Sequence, residues 1–150
     1  MAIKEKRKLD YPAFQGRGWS FGIGNAEARK SVTIDKRWGR VEMVDGAEDI
    51  GQSIGIIIGT AKGERVMRPE FGCGIHELCF EPISSPLVQE IKSTVREALT
   101  RFEARIDLDE VTVSTRNAIN GFLEIAIDYR VRTTNQTGNF VYPYYFREST

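Results

Sequence analysis

The segment Leu123, Ile125, Ile127, Tyr129, Val131, alternating without a break with Glu124, Ala126, Asp128, Arg130 and Arg132, most constrains the fold of this chain. Successive side chains of a strand point to opposite faces, so this pattern specifies a strand with one face in a core and the other toward solvent. A one-residue slip would turn every apolar side chain outward, which fixes the register of whatever pairs with it. One-sided burial points to an antiparallel sheet covered on a single side. Before it, Ile106 and Leu108 alternate, then Val111 and Val113, and the phase breaks at Asp109-Glu110, which predicts a bulge. The Asn120-Gly121 step predicts a tight turn between the two strands. After a turn over residues 135–139, Phe140, Tyr142, Tyr144 and Phe146 alternate with Val141, Pro143 and Tyr145. Pro143 has no amide to donate, so this strand belongs at a sheet edge or stops there.

Two helices are expected to cover the sheet. Ser85 and Pro86 read as an N-cap and first helical position, followed by an apolar stripe of Leu87, Val88, Ile91, Val95, Ala98, Leu99 and Phe102. An earlier helix carries Ala47, Ile50, Ile54, Ile57 and Ile58 through Thr60, with Gly51 and Gly55 on it. Each glycine costs about 1 kcal/mol in an exposed helix interior, so close packing against another backbone is expected to offset them. The predicted fold class is α+β: two main helices packed on an antiparallel β-meander, with an extended N-terminal arm. Residues 1–45 read as the arm, containing a small hairpin around Val32, Ile34, Val41 and Met43, and 46–150 as the domain. In the arm, aromatics and glycines from Tyr11 to Gly24 suit an extended segment docked either on its own domain or on another protein. Gly22-Ile23-Gly24 is no dinucleotide loop, because no buried strand precedes it and no third glycine follows in place.

Composition narrows the function. A length of 150 residues with 41% hydrophobic content suffices for one core without disulfides or metal. Basic and acidic residues balance at 21 each, giving no bulk attraction to nucleic acid or anionic membrane. No apolar run approaches the about eighteen residues of a membrane span, and the charged start lacks a signal peptide's apolar stretch, so synthesis in a cytosol is expected.

Between the two helices, residues 63–72 pack Gly63, Pro69 and Gly72 among Glu64, Arg65, Arg68 and Glu70, which reads as a shaped contact loop. Cys73, His76 and Cys79 could aim soft ligands at one zinc ion, but His76 is the only histidine and no second ligand pair exists. The same residues make a poor thiol nucleophile and base, with no orienting third group. Two of the glutamates Glu64, Glu70, Glu77 and Glu81 could serve a glycosidase, which sets its carboxyls roughly 5 to 9 Å apart with one pKa raised. Arg65 and Arg68 beside them would lower it instead. Glu103 faces the negative end of its helix's dipole and calls for a cation: Arg105, Arg65, Arg68 or an arginine of another subunit. No cofactor and no metal are expected.

Taken together, Gly63-Glu64-Arg65, Arg68-Pro69-Glu70-Phe71-Gly72-Cys73-Gly74-Ile75, Phe80-Glu81-Pro82, Glu103-Ala104-Arg105 and Val141-Tyr142-Pro143, in this order across residues 47–146, resemble the small baseplate wedge family of contractile phage tails. Relatives of that family occur in phage-tail-like injection particles and type VI secretion baseplates, and some members carry a lysozyme-like name. The resemblance implies a structural, non-enzymatic subunit assembled in the cytoplasm into a sixfold baseplate. It implies binding to larger wedge proteins and presentation of an edge on which the sheath assembles. The family's Glu-Pro-Arg motif maps to Glu103, Ala104 and Arg105, with alanine in place of proline. Partner-binding residues expected on these grounds are Glu64, Arg65, Arg68, Glu70, Glu103, Arg105 and the aromatic row Phe140, Tyr142, Tyr144 and Phe146. The arm is expected to reach tube or spike-hub proteins, and the alternative function is a peptidoglycan-cleaving glycosidase using Glu70 or Glu81 as acid.

Overall fold

The computed structural model describes residues 17–20, 34–35, 37, 39–41 and 43–146. The expected arm therefore lies mostly outside the described residues. The chain divides into two compact units, Met1–Gln52 and Ser53–Thr150.

In the first unit, strands β1 (Arg17–Trp19) and β4 (Met43–Asp45) pair antiparallel, and β2 (Ile34–Asp35) pairs with β3 (Arg40–Val41) through Ile34↔Val41 and Asp35↔Arg40. The first helix, α1 (Gly46–Gly59), begins directly after β4 with Glu48 and Asp49 in its opening turn, where acidic groups meet the positive end of the dipole.

The second unit holds helix α2 (Ser85–Phe102) and a meander of β5 (Ile106–Ser114), β6 (Phe122–Val131) and β7 (Thr137–Tyr145), in that spatial order and antiparallel throughout. The expected α+β architecture is what forms. Ile106, Val111, Leu123, Ile125, Ile127, Tyr129 and Val131 are all buried, and so are Leu87, Ile91, Val95, Ala98 and Leu99 on α2, which packs on β5. Each of the valines, leucines and isoleucines among them contributes about 1.5–3 kcal/mol on leaving water. The phase break predicted at Asp109 is a bulge between Leu108 and Glu110.

Three boundaries differ from the sequence expectation, each for a local reason. The cap of α2 is Ser84, whose carbonyl starts the helix (Val88 N, 3.0 Å) and whose hydroxyl accepts from Leu87 N at 3.3 Å. A cap hydroxyl serves the third helical amide, and Leu87 holds that position when the helix opens at Ser85. Asn120-Gly121 is not a two-residue hairpin turn. Residues 115–121 connect the strands through a 3-10 turn (Ala118–Asn120) that ends on Gly121 with φ 80°. Glycine acts there as a left-handed terminator, while Asn117 anchors the connection by donating to Glu124 Oε1 at 2.8 Å. Finally, β7 begins at Thr137, because the turn closes earlier on Asn135, at φ 56°, with Val131 N donating to Gln136 O.

Candidate functional site: a pinned loop, a buried ion pair and a sheet edge

The 63–72 loop is held by its own backbone. Gly63 N donates to Pro69 O at 2.8 Å and closes the ring, while Glu64 N and Arg68 N make internal turns to Ala61 O and Arg65 O. Glu64 also returns a carboxylate oxygen to Ala61 N at 2.9 Å. At the exit, Cys73 N donates to Thr60 O at 2.8 Å. Gly72 makes this possible: at φ 117°, a Cβ there would overlap the Thr60 carbonyl oxygen and lie 3.0 Å from its carbon.

Phe71 fastens the loop to the last turn of α2. Its ring meets Phe102 at a centroid distance of 5.0 Å, the Arg65 guanidinium lies 4.2 Å over Phe71, and Arg101 lies 5.2 Å over Phe102. Arg68 reaches the same ring at 6.0 Å and pairs with Glu70 at 3.3 Å in the open. The tip, Val66 and Met67, is 92% and 91% exposed.

One residue beyond Phe102, Glu103 is buried, with only 4% of its side chain accessible, and takes Arg105 as its partner. Its Oε1 accepts from Arg105 Nε at 2.7 Å and from the Arg105 amide at 3.3 Å, and its Oε2 accepts from Nη2 at 2.7 Å. Burial pushes the Glu103 carboxyl up, but hydrogen bonds from Arg105 and Ser53 outweigh it and hold the pKa below the ordinary value. Arg105 O in turn accepts from Arg132 N at 3.0 Å, tying the pair to the end of β6. Alanine at position 104 leaves the charge pair fully formed. The two charges of the motif pair with each other and fix the junction between α2 and β5.

The aromatic row of β7 turns inward. Tyr144 and Phe146 are buried, with Tyr144 donating to Ile75 O at 2.8 Å, and Phe140 and Tyr142 are half-buried. Burial pushes the Tyr144 phenol far above its usual range. Toward solvent stand Val141 and Tyr145, 51% and 64% exposed, with Pro143 between them. Among the described residues no strand pairs with the outer side of β7. From Arg130↔Thr137, near the ion pair, to Phe122↔Tyr145, the strand runs about 27 Å at about 3.4 Å per residue. The loop and Glu103–Arg105 thus share one end of α2, while Tyr144, near the far end of β7, reaches Ile75 in the segment that follows the loop.

The remaining candidates have structural employment. Cys73 is buried with its Sγ 3.8 Å from Thr94 O, and burial pushes its thiol up. His76 donates from Nε2 to Ile58 O at 2.9 Å, serving a carbonyl at the end of α1, while Cys79 is half-buried and free. Among the described residues no three His, Cys, Asp or Glu side chains gather as a metal site. Glu70 is held below its ordinary pKa by its own backbone amide, and then by Arg68 and Arg101. A general acid needs the opposite shift. Sequence reasoning missed Arg101, Phe102 as a stacking partner, and Ser53. The phenylalanine had been absorbed into the helix stripe, and nothing in sequence links Ser53 to a carboxylate fifty residues on.

Comparison with known proteins gives a consistent picture. Residues 44–136 match the family model described as baseplate wedge protein gp25. The chain is 30% identical over 100 residues to baseplate protein W of Escherichia phage P2, covering 67% of this chain and 85% of that protein. It is similar to a Geobacter sulfurreducens protein provisionally described as a tail lysozyme, at 53% identity and a TM-score of 0.67, covering 71% of this chain and 97% of the other. The fold also matches a chain of the anti-feeding prophage baseplate, at 23% identity and a TM-score of 0.58, covering 90% of this chain and 89% of that one.

Proposed function

The chain belongs to the baseplate wedge protein gp25 family, and from that premise we propose that it is a non-enzymatic assembly subunit of a contractile-tail baseplate. In this reading the 63–72 loop side binds larger wedge proteins and the outer edge of β7 receives the first ring of sheath. Six copies per baseplate follow from the family resemblance, and the N-terminal arm ties the subunit to neighbouring tube or hub proteins.

The observation that carries the sheath assignment is the outer side of β7: an edge strand with no partner strand among the described residues, bearing exposed Val141 and Tyr145. An open edge offers a row of amides and carbonyls to an incoming strand, and alternate side chains give that pairing its selectivity. For the wedge contact, the supporting feature is the loop and ion pair at the end of α2, a rigid surface that does not need to order on binding. Against the glycosidase reading stand the lowered pKa of Glu70 and the exposure of Glu81. A lysozyme's acid needs an apolar pocket that raises it.

Deleting β7 together with the residues after it would also remove Tyr144 and Phe146 from the core, so the test is a surface change. A Val141→Lys, Tyr145→Lys double variant puts two charges on the edge without touching the buried row. It is expected to enter baseplates and fail to nucleate sheath. Normal sheath assembly on that variant would overturn the edge assignment.

A further inference from the structure

We propose that the tip of the 63–72 loop is a docking knob for a partner protein segment that combines an apolar pocket with carboxylates. The inference rests on the baseplate reading above and names the chemistry of the wedge partner.

Four observations carry it. Val66 and Met67 stand almost wholly in solvent at the tip of a loop whose backbone is pinned at both ends, by Gly63–Pro69 and Thr60–Cys73 hydrogen bonds. Two apolar side chains held outward on an ordered support gain their burial on binding without a further cost of ordering the loop. Arg65 and Arg101 cover the Phe71 and Phe102 rings, and among the described residues neither is seen in a salt bridge, although Arg101 is near enough to Glu70 to help hold its carboxyl down. Stacking fixes each guanidinium plane and leaves its N–H fork to reach an acceptor, which suits a bidentate carboxylate. Arg68 adds a third cation, paired at 3.3 Å with Glu70.

The apolar pair selects protein over nucleic acid. Phosphates would engage the arginines but leave Val66 and Met67 nothing to enter, and Glu70 would oppose them. A protein pocket rimmed by Asp or Glu satisfies both halves of the knob, the apolar centre and the charged rim found in stable interfaces.

The test uses the full chain and the purified larger wedge protein of the same tail, with calorimetric titration at low and high salt and duplex DNA as a second probe. Wild type is expected to bind the wedge protein and not DNA. Val66→Ser with Met67→Ser, and separately Arg65→Gln, are each expected to weaken binding about tenfold. Arg65→Lys should restore only part of the loss, because the fork is gone. Arg116→Gln, in the β5–β6 connection, should bind as wild type does. The Val66/Met67 and Arg116 variants, altered only at exposed side chains, keep the wild-type melting temperature, and Arg65→Gln, which also loses its stack on Phe71, melts no more than a few degrees lower. The knob is refuted, with the baseplate role intact, if wild type binds the wedge protein and the loop variants bind equally well. It is also refuted if Arg116→Gln weakens binding as much as Arg65→Gln, or if DNA is the tighter ligand. Absence of any wedge binding by wild type defeats both the knob and the baseplate reading.

Discussion

Replacing either member of the Glu103–Arg105 pair should expose an asymmetry set by burial. Glu103 has 4% of its side chain accessible and Arg105 has 29%. Arg105→Gln strands a carboxylate inside the protein, and breaking a buried pair from that side costs about 3–5 kcal/mol. Glu103→Gln strands a guanidinium that can turn partly to water, and the new amide keeps one acceptor oxygen, so about 1.5–2 kcal/mol is expected from the lost charge-assisted bonds. For a chain of this size those losses lower the melting temperature by about 6–20 °C and about 3–8 °C. Urea unfolding followed by far-UV circular dichroism measures both. The pH dependence has a definite sign. Because the folded pKa of Glu103 lies below its unfolded value, the pair's stabilisation is complete above about pH 4.3 and fades as pH falls through the folded value. The gap between wild type and Glu103→Gln should therefore be full at pH 7 and shrink in acid. Equal costs for the two substitutions, or a gap that persists unchanged into acid, would refute this account of the junction.

Gly72→Ala should cost about 3 kcal/mol, since a side chain at φ 117° is strained and its Cβ meets the Thr60 carbonyl, whereas Gly63→Ala, with open space around it at φ 82°, should cost about 1 kcal/mol. Paired melting curves test the contrast. Tyr144→Phe leaves Ile75 O without its buried donor and should destabilise by about 1–2 kcal/mol in the same assay. In wild type, alkaline titration at 295 nm should leave the Tyr144 phenol protonated beyond the usual tyrosine range until the protein unfolds.

What the sequence made legible follows from how local each signal is. The alternation of residues 123–131 and the stripe of α2 are carried by periods of 2 and 3.6, and both elements form where those periods run. The bulge at Asp109 shows as a phase slip, and Pro143 marks an edge because a missing amide is a local fact. The cap of α2 fell one residue away because two adjacent serines both suit the role and only Leu87's position distinguishes them. For β7, alternation separates its two rows of side chains but not which one faces the core: Phe140 to Phe146 and Val141 to Tyr145 are both apolar. The helix-facing side is decided by Tyr144 reaching Ile75, a contact across 69 positions of chain. Likewise the charges of the loop are plain in sequence, while the platform of Phe71 on Phe102 that organises the arginines needs the fold to bring α2's last turn beneath the loop.

The most direct measurement is the composition of the complex recovered with the tagged chain from its native host, identified by mass spectrometry. The account predicts wedge and sheath proteins in the complex, with sheath lost selectively from the Val141→Lys, Tyr145→Lys variant. Recovery of the chain with cell-wall fragments and without wedge or sheath proteins would contradict it.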